Sequence, residues 1–106
     1  MADFKTPAFR PTHPGHMLRD DVLPALDLNV TKAAKLLGVS RQTLHKIMRE
    51  DNPATVTADM AVRLGKLCGN GPKLWANMQT NYDLWPIIQH MDELNIPTLD
   101  AGASAA

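Results

Sequence analysis

Cysteine is all but missing from this chain of 106 residues: Cys68 stands alone, so no intramolecular disulfide can form. Long apolar runs are missing too, which leaves neither a signal peptide nor a membrane span to be recognised and points to the reducing cytoplasm. Net charge is absent, since eleven basic and eleven acidic side chains cancel, and global charge therefore names no partner. The ingredients of an enzyme are lacking as well. No nucleophile, base and orienting group come together in the sequence, and Asp20 and Asp21, adjacent on a helix, point about 100° apart rather than facing one another. Gly69-Asn70-Gly71 has neither the lysine nor the preceding strand of a phosphate loop. His13 and His16 are three apart, but no cysteine or further histidine lies nearby to complete a tetrahedral site. The expectation is a protein that is not an enzyme and takes no cofactor, no metal and no small-molecule substrate. With 44% apolar residues, 106 positions bury one core and leave little room for a second, ligand-sensing domain.

What the chain does have is LNVTKAAKLLGVSRQTLHKI, Leu28 to Ile47, with the spacing of two short helices around a sharp turn. Asn29 is a good N-cap, and Ala33, Ala34 and Leu37 follow at helical spacing on one face. Gly38 falls where that helix must stop, because glycine enters the left-handed conformation of a helix end without a Cβ penalty. Ser40 then caps a second helix whose buried face is Leu44, Ile47 and Met48, and the small side chain of Ala34 lets the two helices approach closely. Arg41, Gln42, His45, Lys46 and Arg49 are left facing outward. These are side chains of the kind that read base edges and bind phosphates, so the stretch predicts a helix-turn-helix that binds DNA.

Charge supports this only locally. Between Thr31 and Arg49 lie Lys32, Lys35, Arg41, Lys46 and Arg49 with no Asp or Glu, while Asp20, Asp21, Asp27, Glu50 and Asp51 sit on the flanks. The basic residues coincide with the proposed DNA face.

Elsewhere the pattern is helical, with no strand-period segment. Residues 1–12, with Pro7 and Pro11, read as an N-terminal arm in which Lys5 and Arg10 permit a minor-groove contact. A first helix starts at Pro14 and buries Met17, Leu18 and Val22 before Pro24 ends it. Asn52 and Pro53 break the pattern after the helix-turn-helix, and Thr57 caps a fourth helix that carries Met60, Ala61, Leu64, Leu67 and Cys68 on one stripe. Cys68 is thus a small core thiol. Pro72 opens a fifth helix with Leu74, Trp75, Met78, Tyr82 and Trp85 as its apolar face, and Pro86 ends or kinks it at Trp85. The expected division is an arm at 1–12, a DNA-binding domain with a C-terminal dimerisation helix at 13–93, and a flexible tail at 94–106.

Three segments carry a resemblance over roughly residues 12–86: HPG at His13 to Gly15 followed by LRDD, then LGVSRQTLHKI, then TADMAVRLGKLCGNGPKLWANMQTNYDLW. Together they resemble the HigA-type antitoxins of bacterial toxin-antitoxin modules, members of the Xre-like helix-turn-helix group. The resemblance implies an all-α, five-helix, lambda-repressor-like domain that dimerises, represses its own operon and neutralises a RelE/HigB-like mRNA-cleaving toxin. It also implies site roles by position in the motif. Arg41, Gln42 and Lys46 would read bases in the major groove, with His45 a further candidate, and Thr31, Lys32, Ser40, Thr43 and Arg49 would hold the DNA backbone.

Three departures from the family stand out. The family often has Glu where this chain has His16; the connection after the recognition helix, REDNPATV, lacks the usual Asn-Gly turn and is about two residues longer; and the chain runs on past YDLW.

One recognition helix reads too few bases for specificity, so two copies are expected on a palindrome with half-sites about 34 Å apart or a multiple of that. Trp75, Tyr82 and Trp85 are the expected homodimer anchors, being of the type enriched at interfaces. Since toxins of this kind are generally basic, Asp20, Asp21, Glu50 and Asp51 are candidates to face one. Two other readings remain open at this point: a stand-alone phage-type repressor without a toxin, and a toxin-occluding interaction protein with little DNA binding.

Overall fold

Five helices follow one another along residues 7–100, the part of the chain that the computed structural model describes, and no strand occurs among them. The first, α1, is assembled from α-helical Pro14–Met17, a π turn at Leu18–Val22 and α-helical Leu23–Ala25. After it come α2 (Val30–Leu37), α3 (Arg41–Met48), α4 (Ala58–Cys68) and α5 (Pro72–Ile88), with a 3-10 turn at Met91–Glu93. This is the five-helix, lambda-repressor-like order.

Both Pro24 and Pro86 lie inside their helices, α1 ending at Ala25 just after Pro24 and α5 running on to Ile88 past Pro86. Ahead of Pro24 the helix widens, the Leu23 N–H bonding the Leu18 carbonyl five residues back, and this looser turn gives the proline ring room that a regular turn denies it. The chain then leaves α1 through Asp27, which takes the left-handed conformation at φ 53°. Pro86 withholds the N–H that would bond the Tyr82 carbonyl four residues earlier. That carbonyl instead accepts from Arg10 Nε at 3.1 Å, and α5 continues to Ile88. The arm thus supplies the donor that the proline removed.

A single core holds the helices together, built from Leu18 and Leu23 of α1, the inward faces of α2, α3 and α4, Val56 of the connection and Trp75 of α5. Met17 and Val22, expected to be buried, are only partly covered; Leu23 takes the place. Two helix contacts are close enough to exclude a side chain. Gly15 of α1 rests on the Ile47 carbonyl of α3, and Gly65 of α4 rests on the backbone of Gly71 and Pro72 at the start of α5. Cys68 is half-buried, and burial pushes its thiol pKa up, as fits a packing residue rather than a nucleophile.

Candidate nucleic-acid interface

The turn between α2 and α3 is fixed by its own side chains. Asn29 Oδ1 accepts from the Lys32 N–H at 2.8 Å, and Ser40 Oγ accepts from the Thr43 N–H at 3.0 Å, so each helix begins with a satisfied donor. Gly38 ends α2 at φ 73°, and the Val39 N–H folds back to the Ala34 carbonyl at 3.0 Å. Ala33, Ala34 and Leu37 are buried against Leu44, Ile47 and Met48, which orients the remaining faces of both helices outward.

Those outward faces carry the sequence-predicted readers. Arg41, Gln42, His45 and Lys46 are all exposed on α3, and Thr31 and Lys32 are exposed at the start of α2, beside an open groove lined also by Asn29, Lys35 and Leu36. The Arg41 guanidinium reaches Thr31 Oγ1 at 3.4 Å, which joins a reader to a residue expected on the phosphates. Ser40 and Thr43 share a hydroxyl contact of 2.9 Å and are committed to capping; their backbone amides at the start of α3 remain suited to phosphate. Arg49 lies just past α3, and its Nη2 donates to the Asn52 carbonyl at 3.2 Å, so it shapes the following loop. Asn52 stands at φ 51° and supplies the left-handed residue that glycine would otherwise provide. Gln79, buried in α5, accepts from the Val56 N–H at 2.8 Å and fastens this longer loop to the scaffold.

Sequence reasoning missed the residues that hold the far end of α3. Its last carbonyls lack intrahelical partners. His16 Nε2 donates to the Arg49 carbonyl at 2.6 Å, and Arg19 Nη1 donates to the Met48 carbonyl at 3.1 Å. Both come from α1, so no local signal in the recognition motif announces them; the only hint was that His16 replaces the family's glutamate. A glutamate could not donate to a carbonyl and would set negative charge against the negative end of the helix. His16→Glu is therefore expected to lower stability by about 1–2 kcal/mol, with His16→Gln, which retains a donor, recovering most of it in thermal denaturation. Equal melting temperatures for the two variants would rule the capping role out.

The three expected dimer anchors are used inside the subunit. Trp75 is 0% exposed and donates Nε1 to Asn70 Oδ1 at 3.0 Å, so it cannot meet a second copy without unfolding the core, and that expectation is corrected. The Tyr82 ring lies edge-on to His13, with centroids 4.8 Å apart, and beneath the Arg10 guanidinium, 3.5 Å from its centroid. Trp85 Nε1 donates to the Pro7 carbonyl at 2.8 Å. Arg10, read as permitting a minor-groove contact, is held here against α5, while Lys5 lies outside the described residues. The large apolar side chains that α5 leaves most open to solvent are a different set: Leu74 at 42% exposure, Leu84 at 43% and Ile87 at 62%.

Among the described residues no three His, Cys, Asp or Glu side chains gather as a metal site, and no helix is long and apolar enough to cross a membrane. A capped recognition helix presenting exposed Arg, Gln, His and Lys from a five-helix scaffold defines a helix-turn-helix regulator. The profile of the bacterial regulatory protein, Fis family, matches residues 22–50. It spans little beyond the two motif helices, so it marks the motif and leaves the family to longer matches. Antitoxin HigA-1 of Vibrio cholerae is 33% identical over 76 residues, which are 72% of this chain and 70% of that protein. The Pseudomonas aeruginosa antitoxin HigA, solved with the higBA promoter, superimposes with a TM-score of 0.73 at 34% identity, over 86% of this chain and all of that one. A second Pseudomonas aeruginosa protein, solved in complex with its operator DNA, gives a TM-score of 0.75 at 33% identity, over 85% of this chain and all of that one. The chain belongs to the HigA-type antitoxins, within the Xre-like helix-turn-helix regulators.

Proposed function

We propose that this protein is a dimeric autorepressor that binds a palindromic operator through α3 and neutralises a RelE/HigB-like mRNA-cleaving toxin, acting in the cytoplasm where its DNA lies. The observation that carries the DNA half is the sorting of α3: Leu44, Ile47 and Met48 are buried, while Arg41, Gln42, His45 and Lys46 are exposed in one short helix. Arg41 and Gln42 at its N-terminal end are placed to pair bidentately with guanine and adenine, Lys46 and His45 to reach further base edges, and Thr31, Lys32, Ser40, Thr43 and Arg49 to hold phosphates directly or through backbone amides. The relatives solved on a promoter and on an operator support the same reading. Two copies would meet through the exposed part of α5 around Leu84 and Ile87, since Trp75 is unavailable. Residues 13–93 then form the DNA-binding and dimerising unit.

The test is a titration against the DNA directly upstream of the protein's own reading frame, at two salt concentrations and with a scrambled competitor. Tight, competitor-resistant binding that weakens with salt is expected. Arg41→Ala or Gln42→Ala should cost about 1–3 kcal/mol on the cognate operator and relax specificity at one position, whereas Lys32→Ala should weaken binding to every sequence and reduce the salt slope by about 1. Unchanged operator affinity in Arg41→Ala would show that α3 enters the groove in another register. Binding no better than to the scramble would overturn the repressor reading.

A further inference from the structure

The chain is neutral as a whole but not along its length. All eleven Lys and Arg residues lie at or before Lys73, and from Leu74 onward the charged side chains are Asp83, Asp92, Glu93 and Asp100. The same region leaves large apolar groups in water: Met91 is 39% exposed, Leu94 53%, Ile96 74% and Leu99 81%. After the 3-10 turn at Met91–Glu93 Leu94 is extended, the chain beyond it has no regular structure, and residues 95–99 make no hydrogen bond among the described residues. A run of large exposed apolar side chains of this kind, with unpaired backbone beside it, marks a surface suited to being covered by a partner.

Charge decides what covers it. Carboxylates at Asp92 and at Glu93, which lies 3.2 Å from His90 Nδ1, with no Lys or Arg in the segment, exclude DNA. A second copy of the same strip would bring like charges together, and Pro97 lacks the N–H that strand-to-strand self-pairing needs. Of the acidic residues near α1, the other surface that a basic partner could seek, Asp20 and Glu50 already share one arginine. Arg19 grips Asp20 through two bonds of 2.6 and 2.8 Å and reaches Glu50 at 3.3 Å, and its hydrogen bond holds the Asp20 carboxyl below its ordinary pKa.

We propose that Met91 to Leu99 is a docking strip for a basic protein with an apolar cleft, which on the function proposed above, and resting on it, is the toxin. Leu94, Ile96 and Leu99 are the apolar anchors, Asp92 and Glu93 steer the encounter, and the backbone of residues 95–99, which makes no hydrogen bond among the described residues, can pair with a partner's edge strand. The α5 residues assigned to dimerisation lie before the strip, so one protomer can engage its copy and its toxin together.

The probe is the purified small basic protein encoded beside this chain's own gene, titrated against the full chain. An Ile96→Asp, Leu99→Asp double variant should bind it about a hundredfold more weakly, with operator affinity unchanged. An Asp92→Lys, Glu93→Lys variant should lose about tenfold at low salt, and less as salt rises. A full chain that does not bind the probe overturns the toxin reading and the strip with it. Binding that is equally tight in both variants overturns the strip alone. If the double variant also loses operator affinity, the charge reversal decides by itself. Self-association that disappears in the variants while probe affinity stays constant would assign the strip to a second copy and overturn the proposal.

Discussion

Gly15→Ala is expected to destabilise the domain by about 3 kcal/mol or more, a large share of the total for a chain of this size. The added Cβ would fall inside the carbonyl group of Ile47, and what it meets is backbone, which cannot rotate away as a side chain would. Gly15 is buried and its N–H is already held by His13 Nδ1 at 2.9 Å, so α1 cannot slide to make room without losing its own cap. Relief would come only from separating α1 from α3. That would also remove His16 and Arg19 from the α3 carbonyls, so operator affinity should fall along with stability. Gly69→Ala is the comparison. Its Cβ would meet nothing, and only the positive φ of 74° is strained, for about 1 kcal/mol. Urea denaturation of both variants measures the difference, and a Gly15→Ala midpoint no lower than that of Gly69→Ala would show that the helix contact yields easily.

The second large effect is acid-induced loss of stability centred on His13. The ring is 1% exposed, Nδ1 is occupied by the Gly15 N–H, and Nε2 has no hydrogen-bond partner among the described residues. Burial, together with the charge of neighbouring His16, lowers its pKa from 6.5 to about 4. Protonation would place a charge in the core and turn the cap acceptor into a donor. In the unfolded chain the imidazole titrates near 6.5, so between pH 6.5 and about 4 the unfolded state takes up a proton that the folded state refuses. Stability is complete above 6.5 and is lost as the pH falls through that window, by about 3 kcal/mol in all. His13→Asn, whose side chain can cap without titrating, should flatten the pH dependence across this range. Unfolding free energies that fall equally steeply in both proteins between pH 7 and pH 4.5 would place the titrating group elsewhere.

How much of this was legible from sequence depends on the range over which each feature is decided. Asn29, Gly38 and Ser40 act on amides and carbonyls within five residues, so the helix-turn-helix and the outward set Arg41, Gln42, His45 and Lys46 followed from spacing alone. How the prolines are accommodated is not decided locally. Pro24 is tolerated by a π turn, and Pro86 by a guanidinium from the arm that packs against α5. Periodicity placed Trp75, Tyr82 and Trp85 on the apolar side of a helix, but it cannot say whether a helix face is covered by its own chain or by another.

By itself, then, the sequence determined the kind of protein this is: a helix-turn-helix regulator, with its motif, its turn and its exposed basic face. Those rest on φ preference, capping and helical period, all of them properties of neighbours. Only the tertiary structure decided which aromatic residues are core, that Arg10 completes α5, that α1 caps the recognition helix, and that Met91 to Leu99 is left uncovered. These depend on contacts between residues about 30 to 80 positions apart, and the burial they create is a property of the assembled surface that no stretch of sequence contains.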